Sequence, residues 1–417
     1  MAKFIIEGQQ KLSGGIEVLG AKNAAMKMIA ASILIKDKVI LENVPNILDI
    51  QVIIDILKQN GAEITREGHT LNIDTTNLID TDPNPELVAK MRGSIVLVGP
   101  YLARFKHIRF PKPGGCAIGT RSIDAHLKAF EDIGAKVSCT NKLFKVDLEE
   151  NLGGVVNLTE PSVTATENII MSQVLNDKET VINNAATEPQ IADLINFLNS
   201  AGAKITGAGT RTIEIKPVDN LVGVKYRSMP DPFETATFIC MAIVTKSLLK
   251  ITNCRPSDMY PFLDMVNKIG VDFKIGSDYI QITKINNLEP IDLETGIHPG
   301  FSTDMQAPMG LVLTQANGQS SIYEKLFENR LGYLKELVRM GAKVDFVDNH
   351  HAVIYGPTKL YGQRIESLDL RAGATLLIAG LIASGTTEIK NAENIDRGYE
   401  RIESRLEKIG AKIKRIQ

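Results

Sequence analysis

One short pattern recurs six times along this chain at nearly equal intervals. An apolar residue is followed four positions later by glycine, and alanine comes next in five of the six copies. The glycines are spaced 68 to 73 residues apart and are Gly61, Gly134, Gly202, Gly270, Gly341 and Gly410. A self-similar period of this length indicates repeated supersecondary units that stack on one another.

Each repeat is predicted to contain two helices of different character. The glycine ends an amphipathic helix, which in the first copy places Ile50, Ile53, Ile54 and Leu57 on one face. A second helix precedes it in every repeat and is almost wholly apolar beyond its first turn. These apolar helices are predicted at 22–34, 86–102, 162–175, 234–244, 303–314 and 370–382. Short strands separate the helices and follow each glycine.

A helix without a polar face must be buried on all sides, and this requirement determines how six repeats are arranged. A single solenoid leaves one helix layer facing solvent, whereas two closed groups of three repeats can surround their inner helices. We therefore expect an α/β fold of two inside-out, barrel-like domains. The predicted domains are residues 22–229, and residues 1–21 together with 230–417. Residues 1–21 read as a strand pair turning at 13–15 that completes the last repeat.

Composition excludes several classes of protein. The 417 residues carry 47 Lys and Arg against 49 Asp and Glu, so nothing indicates a bulk nucleic-acid or anionic-membrane surface. No apolar stretch is long enough to span a bilayer, and the first residues do not resemble a secretory signal. The 4 cysteines lack paired spacing and the 6 histidines are scattered, so we expect reduced thiols, a cytoplasmic location and no metal site.

The segment 111–124 is a glycine- and proline-rich loop that leads into an amphipathic helix. It carries Cys116, and Arg121 lies where the helix is expected to begin. A thiol beside a cationic helix start is in the environment that makes cysteine reactive. A surface turn with an incidental cysteine explains the same residues, and both interpretations remain open at this point. Cys139, Cys240 and Cys254 lie in strand or helix contexts, where we expect burial.

The polar residues of the inner helices are concentrated in their first turns. Asp231 and Glu234 are typical of helix caps. Lys22, Arg92 and Arg371 oppose the helix dipole at this position, and a bound anion is the simplest reason for them. Together with Arg121 in the loop and Arg397 before Gly398, these cations are the types of residue that bind a small, multiply charged ligand.

With these residues in view, the chain resembles the UDP-N-acetylglucosamine 1-carboxyvinyltransferases, the enolpyruvyl transferases of peptidoglycan synthesis. The matching motifs run through the whole chain: Gly20-Ala-Lys-Asn-Ala-Ala25, Met91-Arg-Gly-Ser94, Pro113-Gly-Gly-Cys-Ala-Ile-Gly-Thr-Arg121, Phe301-Ser-Thr-Asp-Met-Gln306, Phe327-Glu-Asn-Arg330, Asp369-Leu-Arg-Ala372 and Asp396-Arg-Gly-Tyr-Glu-Arg401. The resemblance implies the same fold of three plus three repeats, with the active site in the cleft between the domains.

The resemblance also implies roles for particular residues. Catalytic roles fall to Cys116, Asp304, Lys22 and Arg397. Phosphoenolpyruvate would be bound by Lys22, Asn23, Arg92, Arg121, Arg371 and Arg397. UDP-N-acetylglucosamine would be bound by Asn23, Arg92, Arg121, Ser122, Ile123, Asp124, Ser162, Val163, Asp304 and Leu326. Two positions near the expected nucleotide site depart from the family pattern, with Ser122 in place of proline and Thr164 in place of glycine, so the resemblance implies the chemistry but not the exact nucleotide contacts of these segments.

The implied reaction is an addition followed by an elimination. Asp304 would take the proton of the sugar 3-hydroxyl as its oxygen attacks C2 of the enol, and Cys116 would protonate C3. No metal or organic cofactor is needed, and we expect a monomer whose domains close when the UDP-sugar binds. Covalent inactivation by fosfomycin at Cys116 is a further implication. The alternatives are the related shikimate enolpyruvyl transferase activity and a catalytically silent scaffold or UDP-sugar sensor.

Overall fold

The computed structural model describes residues 2–111, 122–150 and 152–417, and these residues form two compact units. Residues 20–111, 122–150 and 152–229 belong to the first unit, and residues 2–19 and 230–417 belong to the second. Each unit has its own hydrophobic core. Cys116 and Arg121 lie outside the described residues.

Six inner helices occupy the two cores, one in each repeat. They are Lys22–Ala31, Val98–Phe105, Val163–Gln173, Pro232–Val244, Thr303–Leu313 and Leu370–Ile382. Short 3₁₀ turns at Ser32–Leu34 and Arg92–Leu97 adjoin the first and second of them. In the last inner helix every residue from Leu370 to Leu381 is buried. The predicted burial of the apolar helices is confirmed, because a helix without a polar face is stable only inside a core.

The amphipathic helices lie outside the inner ones. They are Leu48–Gln59, Asp124–Asp132, Pro189–Ser200, Tyr260–Lys268, Gly332–Arg339 and Ile402–Glu407. Shorter helical segments are Pro85–Lys90, Pro256–Met259 and Glu393–Asp396. None of the helices among the described residues is long and apolar enough to cross a membrane.

The recurring glycine has a conformational explanation. All six glycines have a positive φ, between 94° and 112°. In the first copy, the N–H of Ala62 donates to the carbonyl oxygen of Leu57 at 3.0 Å, which is the hydrogen bond of a Schellman helix end. The same bond is present after Gly134, Gly202, Gly341 and Gly410. The sequence repeat is therefore a repeated helix terminus, in which only glycine adopts the left-handed conformation without strain.

Three separate sheets surround the inner helices of the first unit. The first sheet contains, in spatial order, Val224–Arg227, Val39–Glu42, Thr70–Asp74 and Glu63–Glu67. The second contains His107–Pro111, Leu143–Asp147 and Lys136–Cys139. The third contains Lys204–Thr206, Thr212–Lys216, Thr180–Asn183 and Gly154–Asn157.

The second unit repeats this arrangement with three four-stranded sheets. One contains, in order, Val271–Ile275, Tyr279–Ile285, Lys250–Thr252 and Gly15–Glu17. The next contains Asp292–Glu294, Gly318–Tyr323, His351–Gly356 and Lys343–Phe346. The last contains Arg364–Glu366, Thr386–Lys390, Lys3–Glu7 and Lys412–Ile416. The sheets are separate in the described parts of both units, so the fold is barrel-like only in the sense that sheets enclose helices.

Inner helices act as crossovers between parallel strands. Gly154–Asn157 pairs in parallel with Thr180–Asn183, and the inner helix Val163–Gln173 connects them. This is a βαβ unit, which requires a crossover of about a dozen residues or more. Equivalent parallel pairs enclose the inner helices Thr303–Leu313 and Leu370–Ile382.

Where the described chain passes from one unit to the other, the strand before an inner helix does not pair with the strand after that helix. Gly15–Glu17 precedes the inner helix Lys22–Ala31 but pairs in parallel with Lys250–Thr252 of the second unit. Val224–Arg227 precedes the inner helix Pro232–Val244 but pairs in parallel with Val39–Glu42 of the first unit. Each unit is thus completed by a strand that lies far away in the sequence.

Two predictions about local structure were wrong. The residues 86–102 do not form one helix, because Met91 is extended and the inner helix begins only at Val98. Pro100 explains this break: proline fits in the first turn of a helix but disrupts a helix interior. The N-terminal strands also do not form a hairpin. Lys3–Glu7 lies between two strands of the last repeat, whereas Gly15–Glu17 joins the fourth repeat.

Candidate active site

In the first unit, the inner helices begin at the same end of the core. Lys27 Nζ lies 3.3 Å from Glu167 Oε1, which joins the first inner helix to the third within two turns of both starts. A Cβ on Gly93 would lie 2.8 Å from Met26 Cε, so the turn that carries Arg92 packs closely on the first inner helix. We call the first turns gathered here, residues 22–23, 92 and 162–163 with the adjoining residues 122–124, the first-unit face.

Lys22 is the first residue of its helix, and the structure provides it with an internal counter-charge. Its Nζ lies 3.0 Å from Asp49 Oδ2, and only 14% of the lysine side chain is exposed. Asp49 belongs to the outer helix of the same repeat and is 3% exposed. A cation at this helix start therefore does not by itself require a bound anion, which qualifies the argument made from the sequence. Asn23 follows in the same turn and is half-buried.

Arg92 is connected to the segment that follows the cysteine loop. Its guanidinium donates to the carbonyl oxygen of Ser122 at 3.3 Å. The Ser122 hydroxyl in turn accepts from the N–H of Asp124 at 2.9 Å, at the start of the outer helix Asp124–Asp132. Ile123 is buried at this helix start. The structure thus brings together Arg92, Ser122, Ile123 and Asp124.

Ser162 and Val163 begin the third inner helix. The Ser162 hydroxyl accepts from the N–H of Ala165 at 3.4 Å, which is an N-cap, and Val163 is the first helical residue. Thr164, one of the two departures from the family pattern, has its hydroxyl 2.9 Å from Nε2 of His126. Burial and the charge of Arg92 lower the pKa of His126 to about 4.

In the second unit, Asp304 is held by two arginines. Its Oδ1 accepts from Arg330 at 2.5 Å, and its Oδ2 lies 3.5 Å from Nε of Arg371. Both arginine side chains are almost fully buried, with exposures of 5% and 3%, whereas Asp304 is 28% exposed. The carboxylate is therefore the accessible member of the cluster. Asp304 lies in the first turn of its inner helix, where the dipole also favours a negative charge.

Arg371 is enclosed on several sides by the second unit. Its guanidinium lies over the ring of Phe233 at 4.8 Å and donates to the hydroxyl of Tyr399 at 3.1 Å. Burial raises the pKa of Tyr399, and the phenol is also 2.7 Å from the hydroxyl of Thr237. Because Arg371 touches both Asp304 and Phe233, the three inner helices of this unit also begin at one end.

A buried carboxylate fixes the loop that carries Leu326 and Arg330. Glu324 is fully buried, and it accepts from the Thr303 hydroxyl at 2.7 Å and from the N–H of Leu326 at 2.9 Å. Thr303 immediately precedes Asp304 in the helix. The loop is thus attached to the same helical turn twice, once through Glu324 and once through Arg330.

Arg397 lies beside the first turn of the last inner helix. It follows the short helix Glu393–Asp396 and is half-buried. A Cβ on the next residue, Gly398, would lie 2.7 Å from the side chain of Leu370, so this backbone packs against the inner-helix start. We call Asp304, Leu326, Arg330, Arg371 and Arg397 together the second-unit face.

Several residues of these two faces were not singled out from the sequence. Arg330 and Tyr399 were parts of quoted motifs but received no role, and Asp49, His126 and Glu324 received no interpretation. All five are at least nine-tenths buried. Asp49, Arg330, Glu324 and Tyr399 contact predicted site residues, and His126 contacts Thr164 next to Val163. A polar residue within an apolar stretch of sequence was the available signal for these buried groups. Such a residue does not reveal which other side chain it contacts.

The cysteines differ from expectation at one position. Cys240 and Cys254 are buried as predicted, and burial raises the thiol pKa of both, to about 11 in Cys254. Cys139 is exposed, so its predicted burial was wrong. It ends the strand Lys136–Cys139 at the edge of a three-stranded sheet, where one face is open to solvent. Within the described ranges, no three histidine, cysteine or acidic side chains gather as a metal site would require.

This arrangement of repeats and inner helices is shared with known proteins. Residues 6–406 match the family model described as EPSP synthase (3-phosphoshikimate 1-carboxyvinyltransferase). Among solved structures, the enolpyruvyl transferase NikO from Streptomyces tendae superposes with a TM-score of 0.91 at 23% identity, covering 100% of this chain and 99% of that one. EPSP synthase from Acinetobacter baumannii superposes with a TM-score of 0.78 at 17% identity, with complete coverage of both chains. Two units of three repeats around inner helices are therefore the enolpyruvyl transferase fold.

Curated relatives are similar over the full length. The UDP-N-acetylglucosamine 1-carboxyvinyltransferase 1 of Clostridium acetobutylicum is 42% identical over 419 residues, with complete coverage of both chains. The UDP-N-acetylglucosamine 1-carboxyvinyltransferase 2 of Carboxydothermus hydrogenoformans is 42% identical over 418 residues, again with complete coverage. The enzyme of that name from Desulfosudis oleivorans is 40% identical over 416 residues. The chain belongs to the UDP-N-acetylglucosamine 1-carboxyvinyltransferase family.

Proposed function

We propose that this protein transfers the enolpyruvyl group of phosphoenolpyruvate to the 3-hydroxyl of UDP-N-acetylglucosamine and releases phosphate, the first committed step of peptidoglycan synthesis. The observation that carries the proposal is the gathering of cations and one accessible carboxylate at inner-helix starts, in a chain 40–42% identical to enzymes of that name.

The cations suit a substrate with a phosphate and a carboxylate. Phosphoenolpyruvate carries about three negative charges, and fixed cations in a water-poor site stabilise it far more than they would in water. We assign its binding to Lys22, Asn23, Arg92, Arg121, Arg371 and Arg397. Arg371 is 3% exposed and contacts Asp304, so it would act on the ligand mainly through its charge.

Asp304 is assigned as the base that activates the sugar. Its carboxylate is 28% exposed and is held in one orientation by Arg330 and Arg371. As the 3-oxygen attacks C2 of the enol, its proton passes to Asp304 and a proton from Cys116 reaches C3. In the elimination, C3 returns a proton to the Cys116 thiolate, and phosphate leaves C2 and takes up the proton held by Asp304, which restores the double bond and both side chains. Asn23, Arg92, Arg121, residues 122–124, Ser162, Val163 and Leu326 are assigned to the UDP-sugar.

A phosphate-release assay tests the activity directly. Phosphate should appear only when both phosphoenolpyruvate and UDP-N-acetylglucosamine are present, and mass spectrometry should find the enolpyruvyl ether of the UDP-sugar. A parallel reaction with shikimate 3-phosphate in place of the UDP-sugar tests the nearest alternative. Turnover with shikimate 3-phosphate but not with UDP-N-acetylglucosamine would refute the assignment. Binding of the UDP-sugar without any turnover would favour the alternative of a UDP-sugar sensor.

A matched pair of variants tests Asp304 within that assay. Asp304→Asn keeps the size of the side chain but removes the base, so the turnover number should fall by about two to four orders of magnitude. Asp264→Asn is the control, because Asp264 is 57% exposed and pairs with Lys268 in the next helical turn. Equal activity in the two variants would contradict the role of Asp304.

The proposed location is the cytoplasm, where phosphoenolpyruvate and the UDP-sugar are available, and the proposed state is a monomer. Light scattering coupled to gel filtration should give a mass near 45.6 kDa. A doubled mass at all concentrations would refute the monomer without bearing on the reaction.

A further inference from the structure

His126 is a buried imidazole that has no role in the reaction as assigned above. It is 4% exposed and lies in the first turn of the outer helix Asp124–Asp132. Its Nε2 lies 2.9 Å from the hydroxyl oxygen of Thr164, and the backbone of Ile123 lies beside the ring. A buried ring nitrogen normally has a hydrogen-bond partner, and the Thr164 hydroxyl is the partner of Nε2.

The contact joins two segments that carry assigned UDP-sugar residues. On one side, His126 follows residues 122–124, whose first carbonyl accepts from Arg92. On the other side, Thr164 follows Ser162 and Val163 at the start of the third inner helix. The hydroxyl of Thr164 therefore attaches one helix start to the other, and the backbone N–H groups of both starts are fixed relative to Arg92.

The imidazole suits this purpose because it stays neutral beside a cation. The Arg92 charge and burial both disfavour protonation of His126. A neutral ring adds no positive charge to the region that Arg92 occupies, and it retains one donor and one acceptor. A lysine or arginine at this position would repel Arg92, and an apolar residue would leave the Thr164 hydroxyl without this partner.

We propose that His126 and Thr164 form a positioning pair for the UDP-sugar, which sets residues 122–124 against residues 162–163. The proposal rests on the proposed function, because it assigns these residues to UDP-N-acetylglucosamine. Neither side chain touches the reacting atoms. The pair should affect the apparent affinity for the UDP-sugar and leave the use of phosphoenolpyruvate unchanged.

Thr164→Val and Thr164→Ser separate the hydrogen bond from the shape of the side chain. Valine is close in shape but lacks the hydroxyl, so the KM for UDP-N-acetylglucosamine should rise by about threefold to tenfold, the equivalent of one net hydrogen bond. Serine keeps the hydroxyl and should remain within about twofold of the native value. The KM for phosphoenolpyruvate and the turnover number should change in neither variant.

Thr180→Val is the matched control for loss of a buried hydroxyl. The Thr180 hydroxyl donates to Gln173 at 3.1 Å, at the far end of the same inner helix. This variant should lose a similar amount of stability in urea denaturation but keep the native KM for the UDP-sugar. A rise in KM that is equal in Thr164→Val and Thr180→Val would overturn the proposal, because it would then be an effect of general loosening.

Calorimetric titration with UDP-N-acetylglucosamine alone provides a readout independent of turnover. The dissociation constant should rise for Thr164→Val and not for Thr164→Ser or Thr180→Val. If the native protein binds the UDP-sugar but does not turn over, the proposed reaction fails and the pair is still tested by this titration. A native affinity in Thr164→Val, or no binding by the native protein, would overturn the proposal.

Discussion

Lowering the pH should reduce the unfolding free energy of this protein because His126 is buried in its neutral form. The substitution His126→Gln should abolish this contribution. The imidazole pKa is lowered from 6.5 to about 4, chiefly by burial and then by the charge of Arg92. The unfolded chain therefore binds a proton on this ring between pH 6.5 and pH 4, where the folded protein does not. The stability associated with the neutral ring is fully present above pH 6.5 and is lost as pH falls toward 4.

The size of the effect follows from the shift. A lowering of about 2.5 pKa units corresponds to roughly 3 kcal/mol at the acid limit, and about 2 kcal/mol of this is lost by pH 5. Glu167 contributes with the opposite sign, since burial raises its pKa to about 7 and protonation favours the folded state. The acid dependence of the native protein alone therefore mixes several groups.

A comparison with His126→Gln isolates the histidine. Glutamine offers a donor and an acceptor of similar reach but does not titrate between pH 4 and pH 8. Urea denaturation followed by circular dichroism at pH 7.5, 6.5, 5.5 and 5.0 should show the native protein losing its advantage over the variant by about 2 kcal/mol toward pH 5. A difference in unfolding free energy that is independent of pH would refute the reasoning, as would a His126 proton signal in NMR that titrates near pH 6.5.

Four further predictions concern other sites. Lys27→Met should cost about 3–5 kcal/mol of unfolding free energy by leaving the fully buried Glu167 without this cation, and Lys27→Met with Glu167→Leu should recover most of it in urea denaturation. Arg330→Met should release Asp304 and lower kcat/KM by an amount equivalent to about 2–4 kcal/mol of transition-state stabilisation. Arg330→Lys should recover part of the loss. Wild-type kinetics in Arg330→Met would exclude this role of Arg330. Lys22→Ala should lower kcat/KM for phosphoenolpyruvate by the equivalent of about 2–4 kcal/mol of transition-state stabilisation. It should also lower the melting temperature, because Asp49 loses this partner. Adding Asp49→Asn should restore the melting temperature but not the activity. Fosfomycin should label Cys116, and Cys139→Ser should be the background for peptide mass spectrometry because Cys139 is exposed; a label on Cys139 of the native protein in place of Cys116 would contradict the assignment.

The fold could be predicted from the sequence to the extent that its determinants are local. A glycine with positive φ after an amphipathic run, and a helix without a polar face, both follow from backbone geometry and burial. The pairing of distant strands could not be predicted in this way. Nothing local in Gly15–Glu17 indicates that it pairs with Lys250–Thr252, because short strands carry little register information and this partner is distant in sequence. The break before Val98 could have been found, since Pro100 was visible in the sequence.

The candidate site likewise contains residues that could be predicted from local sequence and residues that could not. Residue types at helix starts, such as Lys22 and Asp304, were visible because a helix terminus has known electrostatics. The side chains that hold them were not, because Asp49, Arg330 and Glu324 come from other segments of their repeats. Arg371 was predicted as a ligand contact from its charge, and its burial under Phe233 and Tyr399 could be known only from packing.

The inner helices explain why charge accumulates where it does. A helix buried along its length offers no exposed side for polar residues, so polar groups can reach solvent or a ligand only at its ends. At the N-terminal end the backbone N–H groups and the dipole favour an anion. A protein carboxylate can fill that place, as Asp231 and Asp369 do by capping their helices. Where lysine or arginine stands instead, the local field is doubly positive unless another segment supplies a carboxylate, as Asp49 does for Lys22. In the proposed function, a substrate anion competes with that internal partner at Lys22 and at Arg371, which pairs with Asp304. A ligand with both a phosphate and a carboxylate competes better than a singly charged one.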